Sequence, residues 1–393
     1  MERRIVLAIV LVGWELGEGL GHVQRLMRVG RALAADGHRP VFALANIAEP
    51  WPLFQNEPFP FLQASYWNFH PFRGKPFLAS SLADVLAVRG WGTPATLLPL
   101  VESWRHLLEQ VQPRIIVADY SPTLCLAAYQ EIPVIQVGSW FGMPPVHGEQ
   151  FPLLVPGQAP VMPQEKLLEV VQEVQRRRQK PVPPTLTSIL RGDRFPTFFP
   201  ELDPYQADRA EAVWDPMETL TGLVGPASVP HFFAYLTADN PSVEPFLTHL
   251  AMTGIPGTVY LRRAGDELKE RLRLLGLTVL NEPAPLGDML ARSAVIVHHG
   301  GSMANAVAAA GRPQILIPQH LEQTTTAQQL ARLGVGLVLL GNSAPEAAGR
   351  ALKQILGERR FADNAAAFAQ KLRERPPRPA LPDIVACCRR HLA

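Results

Sequence analysis

The feature that most constrains this chain is an alternation. From residue 231 onward, short apolar runs alternate with helical patterns. The runs are HFFAYL (231–236), GTVYLR (257–262), LTVL (277–280), AVIVHH (294–299), QILIP (314–318) and GLVLL (336–340). Helical patterns lie between and after them at 243–252, 265–275, 302–311, 324–333 and 345–356. Apolar strands separated by helices imply a parallel sheet covered on both faces. The chain opens the same way: RRIVLAIVLV (3–12) is a strand and GWELGEGLG (13–21) a glycine-rich turn. Val23, Leu26, Met27, Gly30, Leu33 and Ala34 then recur at helical spacing. Gly37 ends that helix, and PVFALA (40–45) is the next strand. Residues 113–119 and 133–138 are further buried strands, with a helix around 121–130 between them. The fold class expected is α/β, as two Rossmann-like, doubly wound parallel-sheet domains. Their expected spans are 1–215 and 216–393, with the link inside 205–228. Prolines between 376 and 382 precede a short terminal helix, a candidate to return to the N-terminal domain.

Composition narrows the function classes. The net charge is +2, which gives no basic footprint for nucleic acid. The run Arg176-Arg177-Arg178 reads as a solvated helix face shared with Glu169 and Glu173. The three cysteines, Cys125, Cys387 and Cys388, form no disulfide framework, and a reducing, cytoplasmic setting fits. No apolar run approaches the ~20 residues of a membrane-spanning helix. The stretch from Arg4 to Val12 runs into a glycine-rich turn and reads as a buried first strand rather than a signal peptide. The chain holds 39 Pro, and residues 50–100 and 140–205 are rich in Pro, Phe and Trp. These stretches read as long loops and irregular helices.

Three places carry candidate chemistry. The first is Gly17-Glu18-Gly19-Leu20-Gly21-His22, a turn between strand and helix. Glycine lets the backbone approach a ligand, and His22 falls at the carboxyl edge of the sheet. The spacing is not that of a dinucleotide fingerprint, and the second strand ends in Ala45-Asn46 without the acidic residue that would bind a ribose. The bland alternative for His22 is a helix-end residue without chemistry. The second place is Asp119, at the end of a buried strand. It either caps the next helix or fixes the tautomer of a histidine. His22 and Asp119 share one sheet edge, so contact is geometrically allowed. The third, residues 294–323, combines His298-His299, the turn Gly300-Gly301-Ser302, a helix of small residues and the pair Glu322-Gln323. Backbone amides at Gly300 and Gly301, with the helix dipole, suit phosphate oxygens. His299 offers a further hydrogen bond, and the acid–amide pair suits vicinal hydroxyls.

At residues 294–336, and less specifically at 4–46 and 113–138, the chain resembles the two-domain (GT-B type) nucleotide-sugar glycosyltransferases. The nearest in pattern are bacterial antibiotic and macrolide enzymes and plant secondary-metabolite enzymes. The resemblance implies two domains facing across a cleft, an N-terminal one for the acceptor and a C-terminal one for the donor. It implies that His22 is the base and Asp119 its carboxylate partner. The donor site it implies comprises His299, Gly300, Gly301 and Ser302 for the diphosphate, Glu322 and Gln323 for the sugar, and Asn281 and Glu282 beside the nucleobase. Gly19 and Gly21 belong to the glycine-rich loop. Met303 and Ala304 replace small or polar residues of the family, and Val307 replaces a ribose-binding glutamate of plant members. The implied reaction is inverting transfer from a UDP or dTDP sugar to a hydroxyl of a small, apolar or lipid-linked acceptor. The nucleotide sugar is a co-substrate, so no cofactor is expected. No Asp-x-Asp occurs, so no metal is expected either. Trp67, Phe69, Trp91, Trp140 and Phe141 are candidates to line the acceptor pocket or simply to pack loops. Peripheral membrane contact stays open. So do two other classes on the same scaffold, a sugar-nucleotide epimerase and a non-catalytic nucleotide-sugar-binding protein.

Overall fold

The computed structural model describes residues 8–67, 78–217, 222, 224–225 and 229–392. It divides into two compact units. Unit 1 comprises residues 1–200, 204–217 and 378–393, and unit 2 comprises 201–203 and 218–377.

Unit 1 is built on six strands: β1 (Ile9–Trp14), β2 (Arg39–Leu44), β3 (Phe61–Gln63), β4 (Ile115–Asp119), β5 (Val134–Gly138) and β6 (Asp193–Pro196). All pair in parallel, in the order β3-β2-β1-β4-β5-β6. That order reverses between β1 and β4, so the loops leaving these two strands splay apart and open a crevice. Register sets Trp14 beside Asp119 at that point. Val10, Val12, Val23, Leu26, Ile115 and Val117 are fully buried beneath it. Each such side chain contributes about 1.5–3 kcal/mol of burial. The last helix, Ala380–Leu392, belongs to this unit and adds Ile384, Cys387 and Cys388 to the same core. Arg389 on it pairs with Asp36.

Unit 2 repeats the plan with β7 (Phe232–Thr237), β8 (Gly257–Arg262), β9 (Thr278–Leu280), β10 (Val295–His298), β11 (Gln314–Leu316) and β12 (Gly336–Val338). Its order is β12-β11-β10-β7-β8-β9, again all parallel, with the reversal between β7 and β10.

Three expectations need correction. The Pro-rich segment hides an 18-residue helix, Pro94–Val111, which starts on Thr93 with its hydroxyl accepting from Thr96 N–H. Pro94 stands at the first helical position, where the missing N–H has no partner to lose, and Pro99 is accommodated inside the helix. The helix expected at 324–333 begins at Leu321, so Glu322 and Gln323 lie in its first turn. Arg178 is not solvated: its side chain is 2% exposed and bonds Glu102 at 2.7 Å, tying Gln164–Arg177 to Pro94–Val111.

Candidate functional site

Unit 1 places its candidate residues at the β1/β4 reversal. The helix Gly21–Ala35 starts just beyond the turn, which puts His22 in its first turn. His22 Nδ1 lies 3.0 Å from Asp119 Oδ1. Asp119 is 1% exposed, and its other oxygen accepts from Arg25 at 2.5 Å. Burial alone would push this carboxyl up; the charge of Arg25 and the hydrogen bonds from Arg25 and His22 hold it below the usual carboxylate range. An ionised Asp119 must receive a proton from Nδ1–H, which leaves the Nε2 lone pair of His22 for another partner. The ring stacks on Trp14 (centroids 5.4 Å apart, 14° between planes) and on Tyr120 (6.2 Å, 29°). Trp14 is itself fixed by its indole N–H donating to Leu16 O at 2.6 Å.

Backbone geometry explains why the turn is glycine-rich. Gly17 has φ +91°, and a Cβ there would sit 2.6 Å from His22 Nε2. Tyr120, a non-glycine residue at φ +46°, accepts Leu16 N–H and ties the two turns together. Asp119 does not cap the following helix, Pro122–Ala127. Glu15 does, accepting from Thr123 N–H at 2.9 Å and Leu124 N–H at 3.3 Å. Burial raises the Glu15 carboxyl to about 7. Neither Glu15 nor Arg25 was singled out by sequence reasoning. Arg25 lies three residues after His22, so helical spacing on a buried face was the available signal.

Three of the aromatic candidates, Trp91, Trp140 and Phe141, are packed into the interior of unit 1. Trp91 and Trp140 are 1% and 3% exposed, and Trp91 donates to Thr123 Oγ1. Phe141 packs edge-to-face on Trp140 and Tyr120. Trp67 is half-buried, and Phe69 lies outside the described residues.

Unit 2 brings His299–Ser302 and Gln323 together. Gly300 has φ +89°, and a Cβ on it would meet Gln323 O at 3.1 Å. Gln323 Oε1 accepts from Gln319 N–H, and Glu322 is half-buried in the same helical turn. His298 is 1% exposed, accepts Gly300 N–H at Nδ1 and bonds Gln314 Oε1 from Nε2 at 2.8 Å. Burial lowers it to about 4, so it is a neutral brace for the turn. His299 corrects an expectation. Its Nδ1 donates to Ile317 O at 2.7 Å and its Nε2 accepts Thr237 N–H at 2.9 Å. Burial holds it below the usual histidine range, so the neutral ring directs no N–H outward. The Gly300 amide is likewise taken, by His298, so the anion donors on offer are the Gly301 amide, the Ser302 hydroxyl and the start of the helix Met303–Ala310. Thr237, at the end of β7, was missed by sequence reasoning; its hydroxyl is buried with no hydrogen-bond partner among the described residues.

Met303, Ala304 and Val307 point inward. Val307 is fully buried against Phe233, Leu290 and Ile296, Met303 packs on that cluster, and Ala304 is 1% exposed. These departures are core packing. Asn281 and Glu282 are exposed beyond β9, the outer strand, and Asn281 is held by Arg273 at 3.1 Å. No contact among the described residues brings them to the His299–Ser302 turn. One group in unit 1, Asp193, Cys387 and His391, has ligand-type atoms within 4.8 Å of one another, but His391 already bonds Asp193 at 2.7 Å.

Solved structures share this architecture. Streptomyces sp. SF2575 glycosyltransferase SsfS6, complexed with thymidine diphosphate, aligns over 98% of this chain and 99% of its own, with TM-score 0.62 and 18% identity. The spinosyn rhamnosyltransferase SpnG, also with thymidine diphosphate, aligns over 98% and 100%, with TM-score 0.64 and 16% identity. The fold is GT-B. In this GT-B chain, residues 269–388 match the erythromycin biosynthesis protein CIII-like C-terminal domain. Over 144 residues the chain is 31% identical to an aclacinomycin-T 2-deoxy-L-fucose transferase of Streptomyces galilaeus, covering 35% of this chain and 31% of that one. Over 56 residues it is 43% identical to an L-demethylnoviosyl transferase of Streptomyces niveus, covering 14% and 15%. The matched segments thus span less than a third of these curated relatives. Among the described residues, no helix is long and apolar enough to cross a membrane.

Proposed function

We propose that this GT-B chain is an inverting glycosyltransferase. It would move a sugar from a nucleoside-diphosphate sugar to a hydroxyl of a small acceptor. The observation that carries the reading is the His22–Asp119 hydrogen bond at the β1/β4 reversal, with Nε2 left for a substrate. Two fold relatives with thymidine diphosphate bound support a donor of that type.

His22 Nε2 takes the acceptor hydroxyl proton. That oxygen attacks the anomeric carbon from the face opposite the diphosphate, a C–O bond forms, and the bond to the diphosphate oxygen breaks. Charge develops on the leaving diphosphate, as in other transfers with oxocarbenium character. The amide of Gly301, the Ser302 hydroxyl and the start of Met303–Ala310 are placed to receive it, in a turn that the Gly300 N–H braces by donating to His298 Nδ1. Glu322 and Gln323 bind sugar hydroxyls. Met303, Ala304 and Val307 face the core, which removes one motive for a weakened donor site. An epimerase would need an acid and a base grouped on the sugar, and Glu322 is the one carboxylate assigned there.

Incubation with labelled donor, with and without acceptor and in excess EDTA, tests the reading. Transfer that needs acceptor and survives EDTA is expected. Epimer formed without acceptor, or activity lost to EDTA and restored by magnesium, would overturn it.

A further inference from the structure

Arg25 sits beside the dyad, yet nothing in the proposed reaction has used it. Its guanidinium is 5% exposed and its partner Asp119 1% exposed, so both charges are buried. Ions this far from water are tolerated only when paired. The carboxylate therefore serves two partners at once: Arg25 at Oδ2 and His22 at Oδ1.

We propose that Arg25 is a positioning residue that satisfies the charge of Asp119, so that His22 works as a neutral base rather than as the permanent counter-ion of a buried carboxylate. This rests on the reading of His22 as the base. With Arg25 present, the buried cluster is electrically neutral when the imidazole is neutral. A proton on His22 would leave a net positive charge there. Without Arg25, neutrality requires a proton, on His22 or on Asp119. The groups around the ring frame the argument. Trp14 and Tyr120 flank the ring and carry no charge at neutral pH. Their π faces favour a cation, which Arg25 opposes. The start of Gly21–Ala35 also disfavours positive charge in its first turn. In the preceding turn, Glu15 is committed to the amides of Thr123 and Leu124, and Glu18 is exposed. Arg28 lies almost two turns along the same helix.

The test uses histidine-labelled protein, with the His22 resonance assigned by its loss in His22→Gln. Arg25→Met and Arg25→Gln remove the charge, the second keeping a polar donor if the first folds poorly. Arg25→Lys retains it. In both neutral variants the titration midpoint of His22 should move up by about one pH unit or more, the usual effect of losing a nearby like charge. The acid limb of kcat/KM should move with it, and Arg25→Lys should stay near wild type. A midpoint unmoved in both neutral variants, or moved as far by Arg25→Lys, overturns the proposal. A moved midpoint with an unmoved kinetic limb upholds the role of Arg25 and instead removes His22 as the base.

Discussion

Gly17→Ala places one methyl group where the structure leaves no room for it. The new Cβ would lie 2.6 Å from His22 Nε2 and 3.3 Å from a ring carbon of Tyr120. The imidazole has little freedom to yield, because Nδ1 is bonded to Asp119 and the ring stacks on Trp14. Relief to ordinary contact distance needs a displacement of about 1 Å, which for a catalytic group costs on the order of 10²-fold in rate. The backbone conformation at φ +91° adds about 1–3 kcal/mol of strain for a non-glycine residue. For a unit of this size that is a fall in Tm of roughly 2–10 °C. Gly157→Ala separates the two effects, because Gly157 has φ +81° with nothing within 4 Å of its Cβ. Both variants should melt earlier, and only Gly17→Ala should lose kcat. Donor affinity, measured by calorimetry, should stay near wild type in both. Full turnover in a folded Gly17→Ala protein would refute the idea that His22 Nε2 must stay accessible over this glycine.

His22→Ala should lower turnover by about 10²–10⁴ with donor binding little changed, and Asp119→Asn should also impair it. A His22→Ala protein as active as wild type would reduce the dyad to structure. In unit 2, His299→Ala removes the ring that holds Thr237 N–H and Ile317 O, and should weaken nucleoside diphosphate and nucleotide sugar alike by about 10-fold or more. Glu322→Ala should weaken only the nucleotide sugar; equal losses for the two ligands in calorimetry would mean the acid does not face the sugar. His298 gives a pH dependence. Burial lowers it to about 4 in the folded protein, below its ordinary value in the unfolded chain. The unfolded state therefore binds the extra proton first, and stability is lost as pH falls from about 6.5 toward 4, by about 1 kcal/mol per pH unit. Melting curves across that range should show this slope in wild type and a shallower one in His298→Gln; parallel curves would argue that His298 does not titrate on unfolding.

The sequence by itself determined the two parallel sheets, because alternation of apolar strands and amphipathic helices is a one-dimensional signal that each element carries locally. It also located His22, Asp119 and the His299–Ser302 turn, since each sits where a strand ends and a helix begins. Only the tertiary structure decided which partners these residues have. Asp119 could have capped its own helix; the register of β1 on β4 sets it beside Trp14 instead, within reach of His22 and Arg25. His299 reads in the sequence as a phosphate donor, yet the neighbouring strand β7 supplies an amide that takes its second nitrogen. Arg178, read as solvated, is buried because a helix more than sixty positions earlier presents Glu102 to it. Met303 and Val307 look like lost ligand contacts until the helix phase turns them to the core. For Asp119, His299 and Arg178 the deciding neighbour is distant in sequence, and such partners leave no periodic trace along the chain.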